Sequence, residues 1–365
     1  MLKKNCIAKT TVSPLKAPLI APFRTALGTH DFLENILFIM ELSDGTQGFG
    51  EAAIATHITG ETLQETTKNL KAIGRNLIGM DASDYLRISG GLHEQFPKNK
   101  SALAAVETAL MDALTRQWNI PLWKFFGPKV RPFPTDITIV IADLKETERS
   151  VRKFYAQGFR AFKIKIGRDE DLDCERVLAV NRLAPRCAIY LDANQGYSAG
   201  QTLTFLKTLR RFKIRPSLVE QPVPKEDWEG LKRVTRLSMR DGIPICADES
   251  VRSVCDCIRA VREKAVNVIN IKLMKTGLFH SREIAVLAKA AGMKLMIGGM
   301  METSLAMTAS AHLASGLAGF DYIDLDTPFF IRPGFDRNPY LNRRGVYDLR
   351  KVRAGVGVVP SKLKL

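Results

Sequence analysis

Asp192, Glu220 and Asp248 each close a short apolar run, in YLDAN, LVEQP and ICADES, and they stand 28 and 28 residues apart. One strand and one helix between successive acids brings three neighbouring strand ends to a common point. Carboxylates so placed repel one another unless a cation sits among them. An all-oxygen donor set suits Mg2+, or else Mn2+, rather than zinc. Lys163 and Lys165 flank Ile164 in AFKIKIG, so both project to one face of a strand. Their neighbours are apolar, which excludes a solvated edge strand. Two desolvated cations beside a metal are expected to depress each other's pKa, the condition for a lysine general base near neutrality. Lys272 closes a further run, VNVINIKL. Lys165 and Lys272 are the expected proton carriers, and Lys163 is an expected substrate contact.

The elements that must position these groups recur along the chain. Eight apolar runs begin at residues 137, 161, 188, 217, 244, 266, 294 and 322, separated by stretches of helical period. Eight strands joined by helical crossovers predict a parallel α/β barrel rather than an open doubly wound sheet. In such a barrel the second and sixth strands are opposed, so Lys165 and Lys272 face each other across the site. One lysine can then take a proton from one face while the other returns it to the opposite face. No glycine-rich phosphate loop follows any run, so no nucleotide cofactor is expected. The first 130 residues differ in texture. ENILFIMELSDGTQGFGEAA reads as two strands about an Asp-Gly turn, and SALAAVETALMDALTRQWN as an amphipathic helix. We expect an α+β domain over 1–130, the barrel over 131–328, and a segment, 329–365, that returns to pack on the first domain.

Composition narrows the class. With 45% hydrophobic residues in 365 and a mean hydropathy of -0.06, the chain reads as a soluble enzyme. No apolar run is long enough for a membrane span, and MLKKNCIAKTTVSP has no signal-peptide core, so a cytoplasmic location is expected. Six cysteines do not form a disulfide framework, and Cys255 and Cys257 lack the second ligand pair of a zinc site. A net charge of +16 raises the alternative of a nucleic-acid-binding protein. The basic residues are spread over helical stretches, however, so no nucleic-acid partner is expected.

Taken together, KIKIG, DANQGY, EQPV, ADES and NIKLMKTG, in that order, resemble the muconate lactonising enzyme subgroup of the enolase superfamily over nearly the whole chain. The resemblance implies a TIM-like (β/α)7β barrel with an N-terminal α+β capping domain whose loops close over the site. It also implies Mg2+ held by Asp192, Glu220 and Asp248, and acid–base chemistry by Lys165 and Lys272 through an enediolate. KLMIGGMMETS contains no histidine, unlike the mandelate racemase-like subgroup. His93, His280 and His312 fall in helical stretches and are expected to be structural, whereas His30 and His57 fall in capping loops that could touch substrate.

Asp324 and Asp326 alternate in YIDLDTP, and two anions there suit a cationic group. The pair is similar to that of dipeptide epimerases, in which it binds the α-ammonium; Thr138 and the segment Gly299 to Met301 match positions that contact the dipeptide. We therefore expect a Mg2+-dependent dipeptide epimerase that inverts the C-terminal residue by a two-base 1,1-proton transfer. Muconate cycloisomerisation and o-succinylbenzoate synthesis are the alternatives. Gly28, in TALG, stands where glutamate-acting epimerases carry an arginine, so glutamate specificity is not expected. Asp31 and Glu34 would favour a basic residue instead, and loss of the arginine alone an apolar one. Leu278 replaces a second glycine after Lys272. The family also leads us to expect a homo-oligomer.

Overall fold

The computed structural model describes residues 5–26 and 28–360. Leu27 of TALG and the outer ends of the first and last expected segments lie outside the described residues.

Three antiparallel strands open the chain, Ile7–Arg24, Thr29–Leu42 and Gln47–Ala52, paired in that order. Gly45, at φ +84°, makes the turn that the Asp-Gly pair announced. The helix Lys100–Gln117 lies directly on this sheet. Glycine permits that contact, because a Cβ on Gly48 or Gly50 would stand 2.0 Å from Ala109 O or 1.9 Å from Ala105 O. The strand Ile7–Arg24 was not foreseen. Pro14, Pro18 and Pro22 interrupt its pattern, and it runs at a sheet edge with a register shift between Pro18 and Phe23, where prolines are tolerated.

Eight parallel strands follow: Ile137–Ile139, Ala161–Lys165, Ala188–Asp192, Leu218–Glu220, Ile245–Ala247, Val268–Ile271, Lys294–Ile297 and Tyr322–Ile323. They pair in sequence order. The Asp136 N–H reaches Ile323 O at 2.9 Å and bridges the first strand to the eighth. Helices fill every interval between successive strands, which gives the (β/α)7β plan. Most begin on a side chain that accepts a free amide: Asp143, Asp169, Ser198, Asp227, Ser253 and Thr303. After the sixth strand the helix is broken. A turn, Leu273–Thr276, ends at Gly277, φ +80°, and Leu278 starts the next helix with its side chain fully buried.

The last segment turns back to the first domain. Leu122 and Gly355 exchange backbone hydrogen bonds with Gly355 and Ile120, at 2.8 and 2.9 Å, and the Val356 N–H donates to Asp112 Oδ1 at 2.6 Å. Among the described residues no helix is long and apolar enough to cross a membrane.

Candidate active site at the carboxyl ends of the barrel strands

Tyr190, Leu218, Cys246, Val268, Met296 and Tyr322 form one buried apolar cluster, a plug contributed by consecutive strands. Because side chains alternate along a strand, the residue two places on projects the same way. Those residues are Asp192, Glu220, Asp248, Asn270, Gly298 and Asp324. A polar layer therefore lies directly on the plug, and on the second strand Lys163 and Lys165 join it from Ala161 by the same parity.

Lys163 is 1% exposed, and its Nζ lies 2.6 Å from Asp324 Oδ2, 2.8 Å from Glu220 Oε2 and 3.0 Å from Asp192 Oδ2. Lys165 Nζ shares that Asp192 oxygen at 2.7 Å and also reaches Asn194 Oδ1 at 3.1 Å. On the far side Lys272 Nζ is 2.8 Å from Asp248 Oδ2. Lys275 Nζ holds the other Asp248 oxygen at 2.6 Å and donates as well to the carbonyls of Asp248, Val251 and Asn270. Asn270 Nδ2 fixes Glu220 Oε1 at 2.8 Å.

The electrostatics correct one expectation. Burial works against the Lys163 charge, but Asp192, Asp324 and Glu220 outweigh it and hold the ammonium well above its usual range. Lys163 is thus a fixed cation and not a group depressed by its neighbour. Lys272 is raised too, where Asp248 overrides burial and Lys163. Burial would raise Asp192 and Asp248, yet the surrounding lysines bring both below the ordinary carboxylate range. Glu220 differs: burial, then Asp192, push it up to about 7.

The carboxylates fit a hard divalent cation. The three acids together offer only oxygen, and Glu220 Oε2 and Asp248 Oδ2 are buried, each against a lysine ammonium at 2.8 Å.

Thr138, Lys163, Lys165, Lys272, Gly299, Met301, Asp324 and Asp326 line a single pocket. Asp192, Glu220 and Asp248 are held against its lysines. Thr138 contributes its backbone, the N–H donating to Asp326 Oδ2 at 2.6 Å. The first domain closes the pocket with Phe23, Thr25, His30, Ile54, His57 and Ile58. The His30 and His57 rings lie 4.8 Å apart, and burial lowers the pKa of each. Gly28 faces them, since a Cβ there would meet His57 at 3.8 Å. Glu34 pairs with Lys16 on the cap surface, and neither Glu34 nor the exposed Asp31 lines the pocket, so neither supports a basic side chain. A larger cavity, about 800 Å3, opens at the amino ends of the strands beside Arg131, Arg160 and Arg344, and it contains neither Lys165 nor Lys272.

Three groups escaped the sequence reading. Asn270 lies two residues before Lys272 and Asp136 two before Thr138, so strand parity could have found both. Lys275 sits in the helical turn after the sixth strand, where no alternation marks it. The remaining histidines serve structure: His312 Nδ1 accepts the Trp123 N–H at 2.9 Å, and His93 pairs with Glu107 and stacks on His280.

Residues 7–127 match the mandelate racemase / muconate lactonizing enzyme N-terminal domain, and residues 146–364 match the enolase C-terminal domain-like family. The chain is 47% identical over 359 residues to a hydrophobic dipeptide epimerase of Citrifermentans bemidjiense, covering 97% of this chain and 98% of the relative. It is 39% identical over 328 residues to an aromatic dipeptide epimerase of Herpetosiphon aurantiacus, covering 88% and 91%. Among solved structures, a dipeptide epimerase of Enterococcus faecalis V583 complexed with Mg and L-Leu-L-Tyr superposes with a TM-score of 0.90 at 30% identity, covering 96% of this chain and 99% of that one. With both halves matched in order, the chain belongs to the mandelate racemase / muconate lactonizing enzyme family of the enolase superfamily.

Proposed function

We propose that the protein is an isomerase that, with Mg2+, epimerises dipeptides at the α-carbon of an apolar C-terminal residue. The observation that carries this reading is the placement of Lys165 and Lys272 on opposed strands of one pocket that also contains Asp324 and Asp326.

Lys165 and Lys272 approach the α-carbon from opposite faces, so that the lysine in its neutral form removes the proton while the other, as an ammonium, delivers one. The direction of epimerisation decides which does which. Lys163, a fixed cation, stabilises negative charge that develops beside it. Asp192, Glu220 and Asp248 would hold Mg2+, which when bound takes up charge from the substrate carboxylate. Asp324 and Asp326 receive the α-ammonium, and the Thr138 amide fixes Asp326. Muconate and succinylbenzoate chemistry leaves that aspartate pair without a partner.

The cap wall decides which side chain is inverted. Phe23, Ile54 and Ile58 are apolar, and partial desolvation favours neutral His30 and His57, although His57 also reaches the surface. Among the described residues no Arg or Lys from the cap lines the pocket, so a glutamate carboxylate would find no partner there. The relatives described as hydrophobic and aromatic dipeptide epimerases support the same reading. All six cysteines are unpaired, which suits a reducing compartment, and we place the protein in the cytoplasm.

The test is a panel of L-Ala-L-X dipeptides with Mg2+, followed by chiral chromatography, with EDTA as the control. Apolar X should be inverted with kcat/KM about tenfold or more above X = Glu, and EDTA should abolish turnover. A preference for Glu would overturn the apolar assignment. Failure with every dipeptide, together with turnover of an amine-free organic acid, would overturn the epimerase reading.

A further inference from the structure

Asp136 is 1% exposed, and among the described residues neither of its carboxylate oxygens has a hydrogen-bond partner. One oxygen each from Asp136, Asp324 and Asp326 lie within 4.8 Å of one another. The groups around this cluster are few. Lys163 Nζ sits on Asp324, the Thr138 amide sits on Asp326, and Glu220 and Tyr190 act on Asp136 through their fields. Burial, then Asp324 and Asp326, raise the Asp136 carboxyl well above its usual range, and an ammonium held by that pair favours its ionised form.

A buried carboxylate without a donor is costly, and three close together are costlier still. Lys163 supplies one positive charge, but it divides that charge among Asp192, Glu220 and Asp324. The cluster therefore remains short of positive charge on the side where Asp324 and Asp326 meet the pocket. Asp136 does not line that pocket and acts from behind the pair.

We propose that Asp136 is a positioning residue for cation recognition, a third buried acid that works through Asp324 and Asp326 to make the site demand a ligand ammonium. This rests on the amine role given above to Asp324 and Asp326. Its contribution is a field on the ligand rather than a contact, because its oxygens face the aspartate pair. It should therefore act on affinity for the charged amine and leave proton transfer at the α-carbon untouched.

The experiment compares L-alanyl-X with propionyl-X, in which hydrogen replaces the ammonium, for one apolar X in wild type and Asp136→Asn. Wild type should favour L-alanyl-X in kcat/KM. Asp136→Asn should narrow that ratio about tenfold through KM for the charged substrate, as loss of a nearby charge does. Its kcat and its turnover of propionyl-X should stay within about twofold of wild type, which also reports an intact fold. If the asparagine variant does not fold, Asp136→Ser, which leaves room for water, gives the same ratio. An unchanged ratio would overturn the role of Asp136 alone. A wild-type ratio near one would overturn the amine site itself, before any variant is measured.

Discussion

The barrel mouth and the cap wall enclose the same pocket but are built differently. At the barrel mouth the charged groups are tied down: Lys163 by three carboxylates, Asp248 by two lysines, Glu220 by Asn270 and Lys163. On the cap wall His30 and His57 touch each other and face Gly28, and His57 is exposed. Moving one group at the mouth disturbs several others, whereas the wall can change one side chain at a time. Reaction type should therefore reside in the barrel and side-chain preference in the cap.

The largest effect should come from the lysines. Lys165→Ala or Lys272→Ala should lower epimerisation by about 10³-fold or more, while α-deuterium exchange survives from one epimer only, a different one in each variant. Mass spectrometry in D2O reads this directly. A variant that merely shifted substrate preference would break the division between mouth and wall.

Metal binding comes next. Burial and Asp192 raise Glu220 to about 7, so protons compete with Mg2+ below that pH. Calorimetry should show Mg2+ affinity falling about tenfold per unit as pH drops below about 7 and levelling above it. A flat profile from pH 5 to 8 would contradict the place given to Glu220. A smaller loss is expected for Asp324→Asn, which removes one charged partner of the amine. KM for the dipeptide should rise by about 10 to 100-fold, with kcat less affected; an unchanged KM would move the amine elsewhere.

Gly28→Arg should have the smallest effect and the most specific one. The atoms nearest a Cβ at Gly28 belong to the His57 ring, at 3.8 Å or more, so the longer side chain can enter the pocket with little strain. Activity on L-Ala-L-Glu should rise about tenfold against an apolar dipeptide, as measured by competition between the two. Loss of all activity would show that the wall tolerates change no better than the mouth.

What the sequence made legible follows the same line. The strand–helix repeat brought Asp192, Glu220 and Asp248 to neighbouring strand ends, and strand parity set Lys163 and Lys165 on one face, because a period of two survives in short strands. Neither could reveal that Asp324, 161 residues from Lys163, would join Asp192 and Glu220 in outweighing burial and keeping Lys163 charged. The cap wall was less readable. Ile54 and Ile58 reach the pocket from a loop and a four-residue helix that carry no period, and the proline-rich strand Ile7–Arg24 hid the approach to Phe23. Glu34 looked available in the sequence, yet the adjoining strand supplies Lys16 to neutralise it.

The most direct test of the two-lysine assignment uses the wild-type protein. An L-Ala-L-X dipeptide with apolar X is incubated with Mg2+ in D2O, and deuterium is located by mass spectrometry of each residue. We predict label at the α-carbon of X in both the L,L and L,D products and none at the alanine. Label at the alanine, or inversion of X without label from solvent, would contradict proton transfer by Lys165 and Lys272 at that carbon.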